Sequence, residues 1–129
     1  MGPQGPQGDW KGKGERRVDV HTAAPDQAFT SLRALRHTCF SLDGIGVFGK
    51  AEIQRLLVKA EVLLDWAHYY GATRQEVAKK HLERAKGCLD EAWEYAKVSP
   101  ESDKVRQQFD DLRKAIEGWA ASISPSAND

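Results

Sequence analysis

The chain has 129 residues, which is enough for one domain but too few for a typical two-domain enzyme. Its 19 lysines and arginines balance its 19 aspartates and glutamates, so no net field draws the whole molecule towards nucleic acid or an anionic membrane. No apolar stretch reaches the roughly 20 residues of a membrane span, and residues 1–17 lack the apolar centre of a signal peptide. We therefore expect a soluble, cytoplasmic protein without a membrane partner.

Residues 1–22 are predicted to form a disordered tail, because glycine, proline and charged residues cannot bury enough apolar surface to fold. Within it, the run GPQGPQGDW (residues 2–10) has glycine at every third position and resembles the collagen-like Gly-X-Y sequence that occurs in some phage fibres. Its three triplets are too few to sustain a triple helix. Residues 125–129 are predicted to be a second disordered end.

Residues 23–124 are predicted to fold as an all-α antiparallel bundle, with three long helices and one shorter N-terminal helix. The first helix should start near Pro25, since proline suits a first helical turn, and its apolar face comprises Phe29, Leu32, Leu35 and Cys39. The second should run from about Lys50 to Gly71, with a main stripe at Ile53, Leu56, Leu57, Ala60, Leu63, Leu64 and Ala67. Four more apolar residues, Val58, Val62, Trp66 and Tyr69, widen this stripe, which indicates neighbours on more than one side.

The last two helices are predicted from a capping motif and from the regular spacing of apolar residues. The run TRQE (residues 73–76) matches a capping box, in which Thr73 would accept an amide hydrogen at the start of the third helix. Apolar residues, four of them alanines, then recur at spacings of four and three, at Ala78, Leu82, Ala85, Leu89, Ala92 and Ala96, as in the seam of an antiparallel bundle. The fourth helix should start around Ser99 and Pro100, end before Pro125, and bury Val105, Phe109, Leu112, Ile116, Trp119 and Ile123.

Metal and cofactor sites are not predicted. Cys39 and Cys88 are the only cysteines and lack the spacing of a zinc site, so we expect two reduced, buried thiols. Glu61, Asp65 and His68 share a helical face that His81 could approach, but lysines and arginines of the third helix are expected opposite these carboxylates. Salt bridging is therefore the favoured role of these residues.

The run GIGVFGKA (residues 44–51) matches the GxGxxG pattern and comes within one residue of the phosphate-binding GxxxxGK[ST] loop. Both patterns need a strand before the loop and a parallel sheet around it, which this sequence does not predict. The favoured interpretation is a flexible loop between helices. We predict that Ile45, Val47 and Phe48 in this loop bind a partner.

Arg74 and His81 are separated by six residues on the third helix. This spacing resembles the Arg-x(4–6)-His pattern of HEPN ribonucleases, which are helical bundles of similar size. The resemblance implies that the arginine and histidine of two protomers meet at a dimer interface and cleave RNA without metal. In that case the histidine would serve acid/base chemistry and the arginine would bind phosphate.

Residues 79–86 form a basic run, which is interpreted as a solvated, partly paired face because no aromatic residues are interleaved with it. Nucleic-acid binding is therefore not expected. Since no reactive cluster stands out, the sequence favours a non-catalytic helical module that works by contact with another protein or by self-association. A dimeric HEPN-like ribonuclease acting through Arg74 and His81 is the alternative.

Overall fold

The computed structural model describes residues 20–123, with side chains from residue 24 onwards. It contains four helices: α1 (Val20–Phe40), α2 (Val47–Tyr70), α3 (Gln75–Ala96) and α4 (Asp103–Ile123). Every regular element of this part of the chain is a helix, so the all-α prediction is confirmed. The predicted disordered ends, residues 1–22 and 125–129, lie outside the described residues, except that residues 20–22 belong to α1.

The first helix starts earlier than predicted. It begins at Val20, and Pro25 lies inside it, where the missing amide hydrogen forgoes one backbone hydrogen bond near the helix start. As a result α1 has 21 residues, the same length as α4. The prediction of a shorter N-terminal helix is therefore not confirmed.

The predicted capping box at Thr73 is wrong. The N-cap of α3 is Arg74, and no side chain caps this helix start. The backbone amides of Thr73 and Arg74 instead both donate to the carbonyl of Tyr70, at 3.1 and 2.8 Å. Thr73 thus belongs to the turn that closes α2, which is why its side chain does not start α3.

The core lies where the helical spacing predicts. The most extensive contact joins α2 to α3, the next joins α1 to α4, and smaller contacts join α1 to α2 and α3 to α4. All seven residues of the predicted α2 stripe are buried, as are the six predicted residues of α3 and the six of α4. On α1, Leu32, Leu35 and Cys39 are buried and Phe29 is half-buried. These parts of the prediction are confirmed.

The expected neighbours on a second side of α2 are absent among the described residues. Val58, Val62, Trp66 and Tyr69 remain 42, 47, 46 and 72% exposed. The reason is that α1 and α3 both pack on the side of α2 that carries the main stripe. The opposite face of α2 is therefore apolar and open to solvent.

Both cysteines are free and buried, as predicted. Burial raises the pKa of the Cys39 thiol to about 12, and burial likewise raises the pKa of Cys88 above its usual value. A thiol that stays protonated at neutral pH is a poor nucleophile. These two residues therefore act as small apolar side chains of the core.

No helix between residues 20 and 123 combines the length and apolar character that crossing a membrane requires.

We expect Leu64→Ala and Leu89→Ala each to lower the free energy of unfolding by about 2 to 5 kcal/mol, because both side chains are buried in the core and truncation leaves a cavity. Urea denaturation followed by circular dichroism measures this. Val58→Ala on the open face of α2 is the matched control and should cost under about 1 kcal/mol. Equal losses in all three variants would contradict the assignment of the core.

Candidate functional site

The glycine loop is held in place by the connection between α3 and α4. Gly44 has a positive φ of 78°, which side-chain-bearing residues rarely adopt. A Cβ built on Gly44 would lie 2.6 Å from Cδ of Pro100, so the two connections touch at this point. The loop is therefore an anchored turn rather than the flexible segment expected from its glycines.

Four polar contacts fix this junction. The Ser99 hydroxyl donates to the carbonyl of Asp43 and accepts from the amide of Glu101 at 3.0 Å, and Ser99 is buried. The amide of Asp43 donates to the Glu101 carboxylate at 3.0 Å, and Lys104 pairs with the same carboxylate. Lys104 first, and then the Asp43 amide, hold the pKa of Glu101 below its usual range.

The interpretation of residues 44–51 as a phosphate-binding loop is excluded by the secondary structure around them. A helix, α1, comes before it where the motif needs a strand, and residues 20–123 contain no sheet. The Lys50 ammonium donates to the carbonyl of Phe40 at 3.0 Å, so it satisfies the C-terminal end of α1. Lys50 thus has a structural role that its position in the motif does not reveal.

An exposed apolar patch surrounds this loop. Phe40, Val47 and Phe48 are 70, 89 and 72% exposed, and we call these three residues the loop-end patch. Ile45 differs from the prediction, because it is half-buried and packs against the core, where its Cγ2 would lie 2.7 Å from a Cβ on Gly49. Ile45 therefore supports the loop, whereas Val47 and Phe48 face solvent. Phe40 was missed, although its position outside the apolar stripe of the first helix could have indicated it.

The structure brings Arg74 and His81 to the same aromatic ring. The Arg74 guanidinium lies 5.9 Å from the ring centre of Tyr70, and the His81 ring lies 6.0 Å from it. Nδ1 of His81 is 2.8 Å from the carbonyl of Val77, and because a carbonyl only accepts, this nitrogen carries the hydrogen. In neutral His81 the other ring nitrogen, Nε2, is then free to accept a proton.

The carboxylate and imidazole residues of α2 are not gathered into one site. Glu61 pairs with Arg36 of α1 at 2.9 Å. The His68 ring packs beside Phe29 and Trp119, on the α1 and α4 side of the bundle, whereas His81 lies beside Tyr70. Within residues 24–123 no three histidine, cysteine, aspartate or glutamate side chains come together as metal ligands could. Salt bridging is therefore the observed role of Glu61, but with α1 rather than α3.

Searches of protein families, curated proteins and solved structures found no match to this chain. The candidate function is therefore argued from the surfaces of the molecule.

We expect Gly44→Ala to lower the free energy of unfolding by about 1 to 3 kcal/mol, because its Cβ would require a strained φ and displace Pro100. Gly87→Ala is the matched control. Gly87 lies in α3 with open space around it, so alanine there should stabilise by about 0.5 to 1 kcal/mol. Thermal and urea unfolding of both variants measure these changes, and a neutral Gly44→Ala would show that the two connections are not locked together.

Proposed function

We propose that this chain is a non-catalytic helical module that acts by contact with another protein or with copies of itself. The observation that carries the proposal is the loop-end patch, in which three large apolar side chains at the same end of the bundle, the end of α1 and the start of α2, are at least 70% exposed. Large exposed apolar side chains grouped at one end of a small protein favour an interaction site. No metal or cofactor forms part of the proposal.

The anchoring of the loop supports a contact role. A rigid patch loses less conformational entropy on binding than a mobile one, so more of its burial contributes to affinity. Gly44, Ser99 and Glu101 hold the backbone under the patch, and Ile45 fills the space beneath it. The exposed face of α2 continues from Val47 through Val58 to Val62, so a partner larger than the patch would meet further apolar surface.

We infer that the four helices run antiparallel to their neighbours in sequence. The connections, residues 41–46, 71–74 and 97–102, are too short to return along a helix roughly 30 Å long. The first and third connections are hydrogen-bonded to each other. At the opposite end, residues near the starts of α1 and α3 and the ends of α2 and α4 line one cavity of about 390 Å³. Both observations support an up-and-down bundle.

The two free, buried cysteines are typical of a reducing compartment and support the predicted cytoplasmic location, which stays a proposal.

A HEPN-like ribonuclease is the second candidate. It is favoured by one observation, the placement of both Arg74 and His81 beside the Tyr70 ring at a surface with exposed aromatic residues. In a dimer that pairs these surfaces, two histidines would be available for proton transfer and two arginines for phosphate binding. A single protomer supplies only half of such a site.

We expect Phe48→Ser to weaken association while leaving the fold intact, because an exposed aromatic residue contributes through burial in the partner. Sedimentation velocity over a concentration series measures self-association. A crosslinking pull-down from the source cell measures heterologous contact. We expect Phe48→Ser to reduce the affinity tenfold or more, which corresponds to about 1.4 kcal/mol of binding free energy.

Tyr69→Ser is the matched control for this experiment. Tyr69 is 72% exposed, as Phe48 is, but it lies at the other end of α2. If Tyr69→Ser reduces association as much as Phe48→Ser does, or if neither variant changes it, the loop-end patch is not the contact surface.

For the ribonuclease candidate, the expected result is metal-independent cleavage of RNA in EDTA that both Arg74→Ala and His81→Ala abolish. Lys97→Ala, which removes an exposed cation just after the end of α3, should leave cleavage unchanged. Cleavage that persists in the His81 variant points to a contaminating nuclease. If the unmodified protein does not cleave RNA, the ribonuclease candidate is wrong, and the contact proposal is unaffected.

A further inference from the structure

An aromatic cluster lies at the end of α2, remote from the loop-end patch. Trp66 stacks on Tyr70 with ring centres 5.7 Å apart and planes within 18° of parallel. Tyr69 meets both rings edge-on, at 5.8 and 5.1 Å. Trp66 is 46% and Tyr69 72% exposed, so flat aromatic faces remain open to solvent although the three rings support one another.

Cations of α3 line the same side of the molecule. Arg74 lies over the Tyr70 ring, and Arg84 lines a groove of about 260 Å³ between α2 and α3 together with Lys59. Lys80 precedes Arg84 by one helical turn and so lies on the same side of α3. We call Lys59, Arg74, Lys80 and Arg84 the basic edge.

The basic edge has no ion partners among the described residues. The sequence suggested that Lys80 and Arg84 pair with Glu61 and Asp65, but Glu61 pairs with Arg36 and no described salt bridge contains a member of the basic edge. All four side chains are exposed. Glu91 lines the far end of the groove and limits the cationic surface there. Asp65 of α2 and Glu76 in the first turn of α3 are exposed carboxylates close to the α2–α3 turn, so this surface carries acidic groups beside the four cations of the basic edge.

We propose that this surface binds single-stranded nucleic acid, with bases stacked on Trp66 and Tyr69 and phosphates paired with the basic edge. Proteins that bind single strands without sequence preference combine these two elements, a cationic groove and aromatic platforms. From the sequence, nucleic-acid binding was not expected, because no aromatic residues are interleaved with the basic run of α3. The fold supplies them from α2, since the turn at residues 71–74 brings the end of α2 beside the start of α3.

The dimensions suit a short segment of single strand. Residues 74 to 84 span about 15 Å along α3, and Trp66 lies about 6 Å along α2 from Tyr70 at 1.5 Å per residue. The aromatic rings that would stack on bases therefore lie within one or two helical turns of the cations that would pair with phosphates. The carboxylates of an acidic peptide would also pair with the cations, but they do not stack on aromatic rings. The two exposed aromatic faces therefore favour nucleic acid as the ligand.

The test is fluorescence anisotropy of fluorescein-labelled oligo(dT) and oligo(U), each about 12 nucleotides long, titrated with the full chain. We expect binding at about 50 mM salt that weakens strongly by about 200 mM, because phosphate contacts release counterions. Trp66→Ala and Tyr69→Ala should each weaken binding by about tenfold, as the loss of one stacked base does. Lys80→Glu and Arg84→Glu should weaken it and also flatten its dependence on salt.

Matched controls separate this surface from the rest of the molecule. Phe48→Ala removes an aromatic residue with the same 72% exposure as Tyr69 but at the loop-end patch, and Arg33→Glu reverses an exposed cation of α1. Both should bind the oligonucleotides like the unmodified chain. Circular dichroism should show that all variants keep their helical content.

Two results would overturn the proposal. One is the absence of binding at about 50 mM salt, where electrostatic association is strongest. The other is binding that Tyr69→Ala and Trp66→Ala leave unchanged and that polyglutamate displaces as readily as oligo(dT) does, which would assign the basic edge to an acidic protein partner. Neither result affects the association measured at Phe48, because that patch lies about 27 Å away along α2.

Discussion

The close packing of α2 against α3 is the constraint on which the rest of the bundle depends. Alanines that are fully buried lie on both sides of this contact: Ala60, Ala67, Ala78, Ala85, Ala92 and Ala96. Small side chains let two helices approach closely, so much of the apolar stripe of α2 is satisfied by a single neighbour. The remaining contacts of that stripe are made by α1, which lies on the same side. For this reason no helix within residues 20–123 covers the outer face of α2, and both proposed binding surfaces lie on or beside it.

The two ends of the bundle are built differently, and each end displays a different chemistry. At one end, a buried hydroxyl and a positive φ at Gly44 lock two connections together under an apolar patch. At the other end, a short turn leaves stacked aromatic rings beside cations that form no salt bridge with any described residue. Apolar side chains suit a protein partner, whereas aromatic faces with cations suit bases and phosphates. One small scaffold can therefore present two surfaces that do not compete for the same residues.

The sequence by itself determined the helices and the core. Apolar residues at spacings of three and four predicted the buried stripes of α2, α3 and α4 residue by residue, because a helix that buries one face must repeat apolar positions at that period. The two buried thiols also followed from the sequence. Helix starts were less well determined, because the signals are local. Pro25 lies inside α1, which begins at Val20, and the backbone bonds of the turn at residues 70–74 replaced the predicted cap at Thr73.

Only the tertiary structure decided which apolar and charged residues are free to bind. The pattern of α2 is apolar on both faces, and no local rule shows that both neighbouring helices pack on the same one. Likewise, Lys50 sits in a phosphate-loop motif but caps α1, and Glu61 pairs with Arg36 of α1 rather than with a cation of α3. These partners depend on which side chains of different helices come into contact. Sequence spacing predicts contacts between side chains only within one helix.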